Sequence, residues 1–337
     1  MEKLKNRAKN DIKIGRECAT KKEKICAVVV TYNRKELLLK CLESLMKQTR
    51  PLDAIYIIDN ASTDGTPEVL LGHKYISKLP PTDLTGAWDT SLSRANLPIS
   101  KIDSRLSITI YYLRMNENTG GSGGFHEGVK RGYEKGYDWL WLMDDDALPA
   151  FNSLKTLLLA KKKLVDKDNF SVLQNQIVIE QKKDDKTDKV DLEPVNHAIF
   201  VGFFISKELI KKIGLPKKSF FIYYDDAEYC LRIRRFGGRI FKVLGSIIYH
   251  KDWKNQRKIK KRILNKDLTI PELPKWKFYY LSRNNILMKS NSHKEKIKAV
   301  LFCSKLWIKA AIIQPKFLGM ITLGIIHGIL GISGKRI

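Results

Sequence analysis

The sequence is poor in acid. Its 337 residues hold 36 Asp and Glu against 62 Lys and Arg, a net charge of +26. Such a surface attracts polyanions: nucleic acid, anionic lipid or phosphorylated substrates. Five cysteines, an odd number with no CxxC spacing, argue against a disulfide framework. They read instead as buried thiols in a reducing compartment. Long apolar runs are also missing: residues 317–332 are almost wholly apolar but fall short of the ~20 a spanning helix requires. An interfacial or re-entrant helix is expected there, with an ordinary soluble helix as the alternative. Residues 1–23 are charged and have no apolar core, so no signal peptide is expected. No RNA- or DNA-binding motif accompanies the basic clusters at 161–163 and 258–262, so nucleic acid is not expected as a partner. At 43% hydrophobic residues, wholesale disorder is excluded.

The organisation is that of an α/β protein. A basic tail (1–23) precedes the continuous apolar, β-branched run Ile25-Cys-Ala-Val-Val-Val-Thr31, which reads as a strand buried on both faces. Leu38, Leu42, Leu45 and Met46 follow at helical spacing, and Ala54-Ile-Tyr-Ile-Ile-Asp59 is a second strand. Strand, helix, strand opens a parallel sheet. Proline-rich residues 72–105 read as an inserted loop over the ligand edge; a strand is expected over 108–113, then a Gly-rich turn and helix within 120–136. Trp139-Leu-Trp-Leu-Met143 is another strand, with further strands near 170–180, 197–205 and 239–244 and a helix from Asp225. Beyond residue 256, Lys and Arg alternate with Ile, Leu, Trp and Tyr in helical spacing. The expected domains are therefore 24–255 and a helical, membrane-associated region at 256–337.

Asp144, Asp145 and Asp146 end a buried strand, where open α/β sheets bind ligands. Three adjacent carboxylates repel and raise one another's pKa, a conflict that a divalent cation resolves. In extended backbone Asp144 and Asp146 point the same way and Asp145 elsewhere; hard carboxylate oxygens suit Mg²⁺ or Mn²⁺ together with substrate phosphates. His250, ending another strand, could add a nitrogen ligand, although a lone His is more often structural. Asn116-Glu-Asn-Thr-Gly-Gly-Ser-Gly-Gly124 lets backbone approach an anion or sugar, but it lacks the third glycine of GxGxxG and any Walker A lysine. Asp225 and Asp226 open a helix behind the aromatic run Phe220-Phe-Ile-Tyr-Tyr224. Low local polarity there would let a carboxylate act as general base near neutral pH; dipole-favoured acids in a first helical turn are the bland alternative.

Together these stretches resemble a family 2 glycosyltransferase of GT-A fold, an open mixed sheet with flanking helices, over about residues 25–253. The carrying segments are Val-Val-Val-Thr31-Tyr-Asn33-Arg34, Ile-Ile-Asp59-Asn60-Ala-Ser-Thr-Asp64-Gly65, Asn118-Thr-Gly-Gly-Ser-Gly-Gly-Phe125, Leu140-Trp-Leu-Met-Asp-Asp-Asp146, Tyr224-Asp-Asp-Ala-Glu-Tyr229 and His250-Lys-Asp-Trp253. The chain looks most like bacterial galactofuranosyltransferases, with rhamnosyltransferases using a deoxythymidine diphosphate sugar close by. The resemblance implies an inverting transferase with a nucleotide-sugar donor, a glycan or lipid-linked acceptor in surface polysaccharide synthesis, and Mn²⁺ or Mg²⁺. Thr31 and Asp59 would hold uridine, with Asn33, Arg34, Asn118, Gly121, Asp144 and Asp145 also on the donor. Asp144, Asp146 and His250 would hold the metal. Asp226, paired with Asp225, would be the base, and Tyr224, Glu228 and Trp253 would line the sugar or acceptor site. A peripheral location on the cytoplasmic face of the cell membrane, on anionic lipid, follows from the basic apolar C-terminal region; an oligomer is compatible with the sequence.

Overall fold

The computed structural model describes residues 22–81, 88–89, 95–98, 107–164, 170–179, 190–251, 257–263, 266–289 and 292–337. The chain opens with β1 (Ile25–Thr31), α1 (Lys35–Met46), β2 (Ala54–Asp59), α2 (Thr66–Gly72), the short β3 (Trp88–Asp89) and β4 (Ala95–Pro98), and β5 (Ser107–Arg114). Next come α3 (Gly120–Glu134), β6 (Trp139–Asp144), β7 (Leu148–Pro149), α4 (Ser153–Leu164), β8 (Ser171–Val178) and β9 (Asp191–Pro194). β10 (Phe203–Ser206), α5 (Lys207–Ile213), α6 (Asp225–Arg235) and β11 (Arg239–Tyr249) complete the sheet half. These strands form one mixed sheet in the order β3-β5-β2-β1-β6-β10-β8-β11-β7, with β4 also on β5 and β9 on β11.

The strand at 25–31 is apolar throughout because helices cover both faces of the sheet. Ile25, Ala27 and Val29 belong to one core with Leu38, Leu42 and Leu45 of α1; Cys26, Val28 and Val30 belong to the other with Val129 of α3 and Ile233 of α6. β2 and β6 flank β1 in parallel, in a register that sets Thr31 beside Asp59 and Val30 beside Asp144. The polar ends of three central strands thus meet at one edge of the sheet.

Four expectations change. The glycines of 120–124 are not a turn before a helix but the first turns of α3 itself. A Cβ on Gly124 would lie 2.5 Å from Val30 Cγ1, and one on Gly128 2.2 Å from Val28 Cγ1, so glycine here brings helix against sheet. β11 runs on to Tyr249, five residues past the expected end, because pairing with β8 resumes after an irregularity between Val243 and Ile247. Within the 72–105 insertion, β3 and β4 extend the sheet antiparallel beside β5. Residues 258–263 and 266–271 are not helical: β12 (Lys258–Ile263) and β13 (Lys266–Pro271) pair as an antiparallel two-stranded sheet.

The helices expected beyond residue 256 follow as α7 (Lys275–Met288), α8 (His293–Ile313) and α9 (Leu318–Leu330). Phe278, Ala310, Phe317 and Ile321 pack between them and Ile270. Among the described residues no helix is long and apolar enough to cross a membrane. Cys26, Cys41, Cys230 and Cys303 are free and buried, as expected of structural thiols; Cys18 and the tail at 1–21 lie outside the described residues.

Candidate active site

A cavity of about 560 Å³ opens at the polar edge of the sheet. Its floor is Val30, Thr31, Asp144 and Asp145; Asn118, Gly120, Gly121 and Ser122 from the start of α3 form one wall, and Asp225 and Asp226 from the start of α6 another. Arg34, His250, Trp276 and Lys277 also border it. Six separate segments therefore converge on one concave site.

Within the acidic triplet the three carboxylates have different partners. Asp145, almost fully buried, accepts a hydrogen bond from Thr31 Oγ1 at 2.7 Å and pairs with Arg34 Nη1 at 3.2 Å. Arg34 Nη1 also reaches Asp146 Oδ2 at 2.9 Å. The guanidinium thus takes part of the compensation that the sequence assigned to a cation, and Asp145 faces the cavity rather than away from it. Burial pushes the Asp145 carboxyl up to about 6, against the Thr31 and Arg34 contacts. Asp144 is raised well above the usual carboxylate range by burial and by its two acidic neighbours.

The donor set fits a hard divalent cation. Asp146 Oδ1 is buried, accepts no hydrogen bond from the described residues, and faces His250 Nε2 at 3.4 Å. Asp144 has no side-chain hydrogen bond or ion pair among the described residues beyond the field of its neighbours. No three His, Cys, Asp or Glu side chains among the described residues form a ready-made ligand cluster. Mg²⁺-type sites commonly use one or two carboxylates and complete the shell with substrate phosphates and water, so a two-carboxylate edge beside Arg34 is adequate.

Asp225 and Asp226 occupy the first turn of α6, where free N–H groups favour negative charge. Even so, burial raises both: Asp225 to about 6 and Asp226 to about 7, the latter lifted further by Asp225. A carboxylate raised this far exchanges its proton near neutral pH.

Other expected residues have different surroundings. Asp59 does not border the cavity; it is fully buried, accepting hydrogen bonds from Ser62 N at 2.8 Å and Tyr112 Oη at 2.6 Å. Asn33 Oδ1 accepts from Thr63 N at 2.7 Å and its own N–H donates to Ser62 Oγ at 2.9 Å, stapling the loop after β1 to the loop after β2. Both residues shape the polar edge of the sheet from behind. Asn118 is in the wall and fixes the α3 start by accepting from Gly120 N at 2.8 Å. Tyr224 and Glu228 depart from the expected acceptor-lining position. The Tyr224 ring packs with Phe220, Leu287 and Met288, and Glu228 is buried between Lys217 at 3.1 Å and Arg232 at 3.0 Å. Trp253 lies outside the described residues.

Sequence reasoning missed Trp276 and Lys277. They come from α7, some fifty residues beyond Asp226, and only the aromatic-basic pair Trp276-Lys277 after Pro274 signalled them. Lys277 is shifted down by burial and by Arg34, and lies over the Trp276 and Tyr223 rings.

The family model for glycosyl transferase family 2 matches residues 26–96. Among curated proteins, the chain is 25% identical over 237 residues to the galactofuranosyltransferase GlfT1 of Mycolicibacterium smegmatis, covering 65% of this chain and 68% of that one. It is 26% identical over 231 residues to the GlfT1 of Mycobacterium tuberculosis, covering 64% and 66%. The match thus spans about two thirds of each relative's length. The fold is shared with the mannosyltransferase PcManGT of Pyrobaculum calidifontis, solved with GDP-Man and Mn²⁺, at a TM-score of 0.51 and 14% identity over 96% of this chain and 93% of that one. On these matches the chain is a glycosyltransferase of the GT-A fold, with family 2 sequence in its N-terminal part and similarity to galactofuranosyltransferases.

Proposed function

We propose that the protein is an inverting, metal-dependent galactofuranosyltransferase that uses UDP-galactofuranose and a glycan or lipid-linked acceptor in surface polysaccharide synthesis. The observation that carries this reading is the shared cavity. The Asp144–Asp146 edge and Arg34 suit a diphosphate at the sheet, while a carboxylate with raised pKa, Asp226, sits on a different wall. Mn²⁺ or Mg²⁺ held by Asp144 and Asp146, with His250 beside them, would supply Lewis-acid stabilisation of the leaving diphosphate.

The chain's own residues account for the rest. Arg34 lends a guanidinium to the phosphates, and the first turn of α3 lets the donor approach main chain at Gly121. Asp226 takes the proton from the attacking acceptor hydroxyl. As its oxygen bonds to the anomeric carbon, the bond from that carbon to the diphosphate oxygen breaks, and the nucleotide leaves with the electron pair. One displacement from the face opposite the leaving group inverts the centre; a hydrolase would require two carboxylates flanking the bond.

The reading extends to a peripheral position on the inner face of the cell membrane. Its support is the outer surface of α8 and α9, where Ile297, Leu301, Ile308 and Leu330 are 61%, 57%, 55% and 67% exposed beside Lys294, Lys298 and Lys305. Soluble proteins seldom leave such a patch uncovered, and anionic lipid attracts nearby lysines at ~1 kcal/mol each.

The test is to supply purified protein with Mn²⁺, a lipid-linked acceptor and either UDP-galactofuranose or dTDP-rhamnose. The product's anomeric configuration is then read by NMR. Galactofuranosyl transfer with inversion is expected; transfer of rhamnose instead, or retention, overturns the assignment.

A further inference from the structure

Arg283 and Asn284 lie on α7, away from the cavity lining, and neither side chain is exposed at all. A buried guanidinium is unusual unless it is well bonded. Arg283 Nη1 donates to Gly334 O at 2.5 Å and Tyr279 Oη at 3.3 Å, and the other bonds of the pair converge on one loop, residues 219–224, which leads directly into Asp225 and Asp226. Asn284 Nδ2 donates to the carbonyls of Phe220 at 2.9 Å, Ile222 at 2.7 Å and Tyr223 at 3.0 Å. Arg283 Nη2 donates to Ser219 O at 3.2 Å and Phe220 O at 3.1 Å, and its Nε donates to Asn284 Oδ1 at 2.8 Å, which orients the amide. The remaining carbonyl of the five, Phe221 O, accepts from Ser122 N of α3 at 3.1 Å.

Every backbone carbonyl from 219 to 223 is therefore held, four of them by this adjacent pair. The loop requires it. Phe221, Tyr223 and Tyr224 have φ of 66°, 68° and 65°, the left-handed region that side chains disfavour. Three such residues in four persist only where surrounding structure over-determines them, and such strain clusters at functional sites.

We infer that Arg283 and Asn284 are positioning residues: they clamp the 219–224 loop in its strained form so that Asp226 faces the cavity before substrate arrives. The inference rests on the reading of Asp226 as base. Released, the loop relaxes toward ordinary φ and the start of α6 turns with it. A displacement of about 1 Å at a reacting group costs roughly a hundredfold in rate.

The test compares Asn284→Asp, Arg283→Lys and Asp226→Asn in the full chain. Asn284→Asp keeps shape and the Oδ1 acceptor but turns a carboxylate oxygen toward three carbonyls. The expected result is a kcat lower by roughly ten- to a hundredfold, with donor KM and UDP affinity unchanged and the pH at which activity rises displaced from that of wild type. Should Asn284→Asp not fold, Arg283→Lys, which keeps the charge but not the planar fork, carries the same measurements. Folded variants with wild-type kcat and pH profile overturn the clamp, as does a parallel loss of kcat and UDP affinity, which marks general structural damage. If Asp226→Asn remains active, it is the base assignment that fails.

Discussion

The sheet half and the C-terminal helices solve opposite problems. β1, β2 and β6 bury apolar side chains on both faces and spend their polar residues at one edge, where Thr31, Asp144 and Asp145 meet. Residues 256–337 hold eighteen Lys and Arg against three Asp and Glu, have a small core of their own, and leave large apolar side chains outside. Yet α7 supplies Trp276 and Lys277 to the cavity and Arg283 and Asn284 to the loop before Asp226. A boundary at residue 255 separates two kinds of architecture but cuts through one active site. On the proposed mechanism the reacting groups lie in the first region, and the loop that carries Asp226 is held by the second.

The comparison breaks most sharply at Asp226. Asn in its place keeps the shape and removes the base, and kcat should fall by roughly 10²–10⁴-fold. Donor binding, which rests on the sheet edge, should persist; a parallel loss of both would mean that the two walls are not separate in function. Next is metal removal. Excess EDTA should abolish transfer and added Mn²⁺ restore it, while full activity in EDTA would leave Arg34 as the sole compensation of the acidic edge.

A smaller effect is read from pH. Asp226 must be deprotonated to accept the hydroxyl proton, and burial raises its pKa to about 7. Activity should therefore rise with pH through the neutral range and fall roughly tenfold per pH unit well below it. A limb near pH 4, the ordinary carboxylate value, would show that the base is solvated. The smallest effect belongs to the outer surface. Leu301→Glu with Ile308→Glu should weaken sedimentation with phosphatidylglycerol vesicles by tenfold or more, since each buried apolar side chain is worth about 1.5–3 kcal/mol. Transfer to a short soluble acceptor should not change; unaltered vesicle binding would remove the membrane reading.

How far the sequence could be read follows the range of the contacts. The central strands were legible because burial on both faces leaves an unbroken apolar run, and the triplet 144–146 was legible because it sits at the end of one. The α3 glycines were misread because glycine marks a flexible turn and a close helix contact equally well. The β12–β13 pair was missed because Lys258-Ile-Lys-Lys-Arg-Ile263 fits strand alternation as readily as a helical face. Tyr224 and Glu228 adjoin Asp225 and Asp226 in sequence but are claimed by Phe220, Lys217 and Arg232. Lys277, Arg283 and Asn284 reach the site only through folding of a distant segment, and no local pattern announces that.

The seating of α3 on β1 has one more consequence. With Gly124 and Gly128 against Val30 and Val28, helix and strand touch through backbone on one side. Their separation does not vary with rotamers, as it would across a pair of leucines. Gly120 and Gly121, one turn earlier on the same helix, form a wall of the cavity whose floor includes Val30. The helix therefore works as a depth gauge. The clearance between wall and floor is set by a helix main chain resting on two valine side chains, and a single methyl group at position 128 would change it.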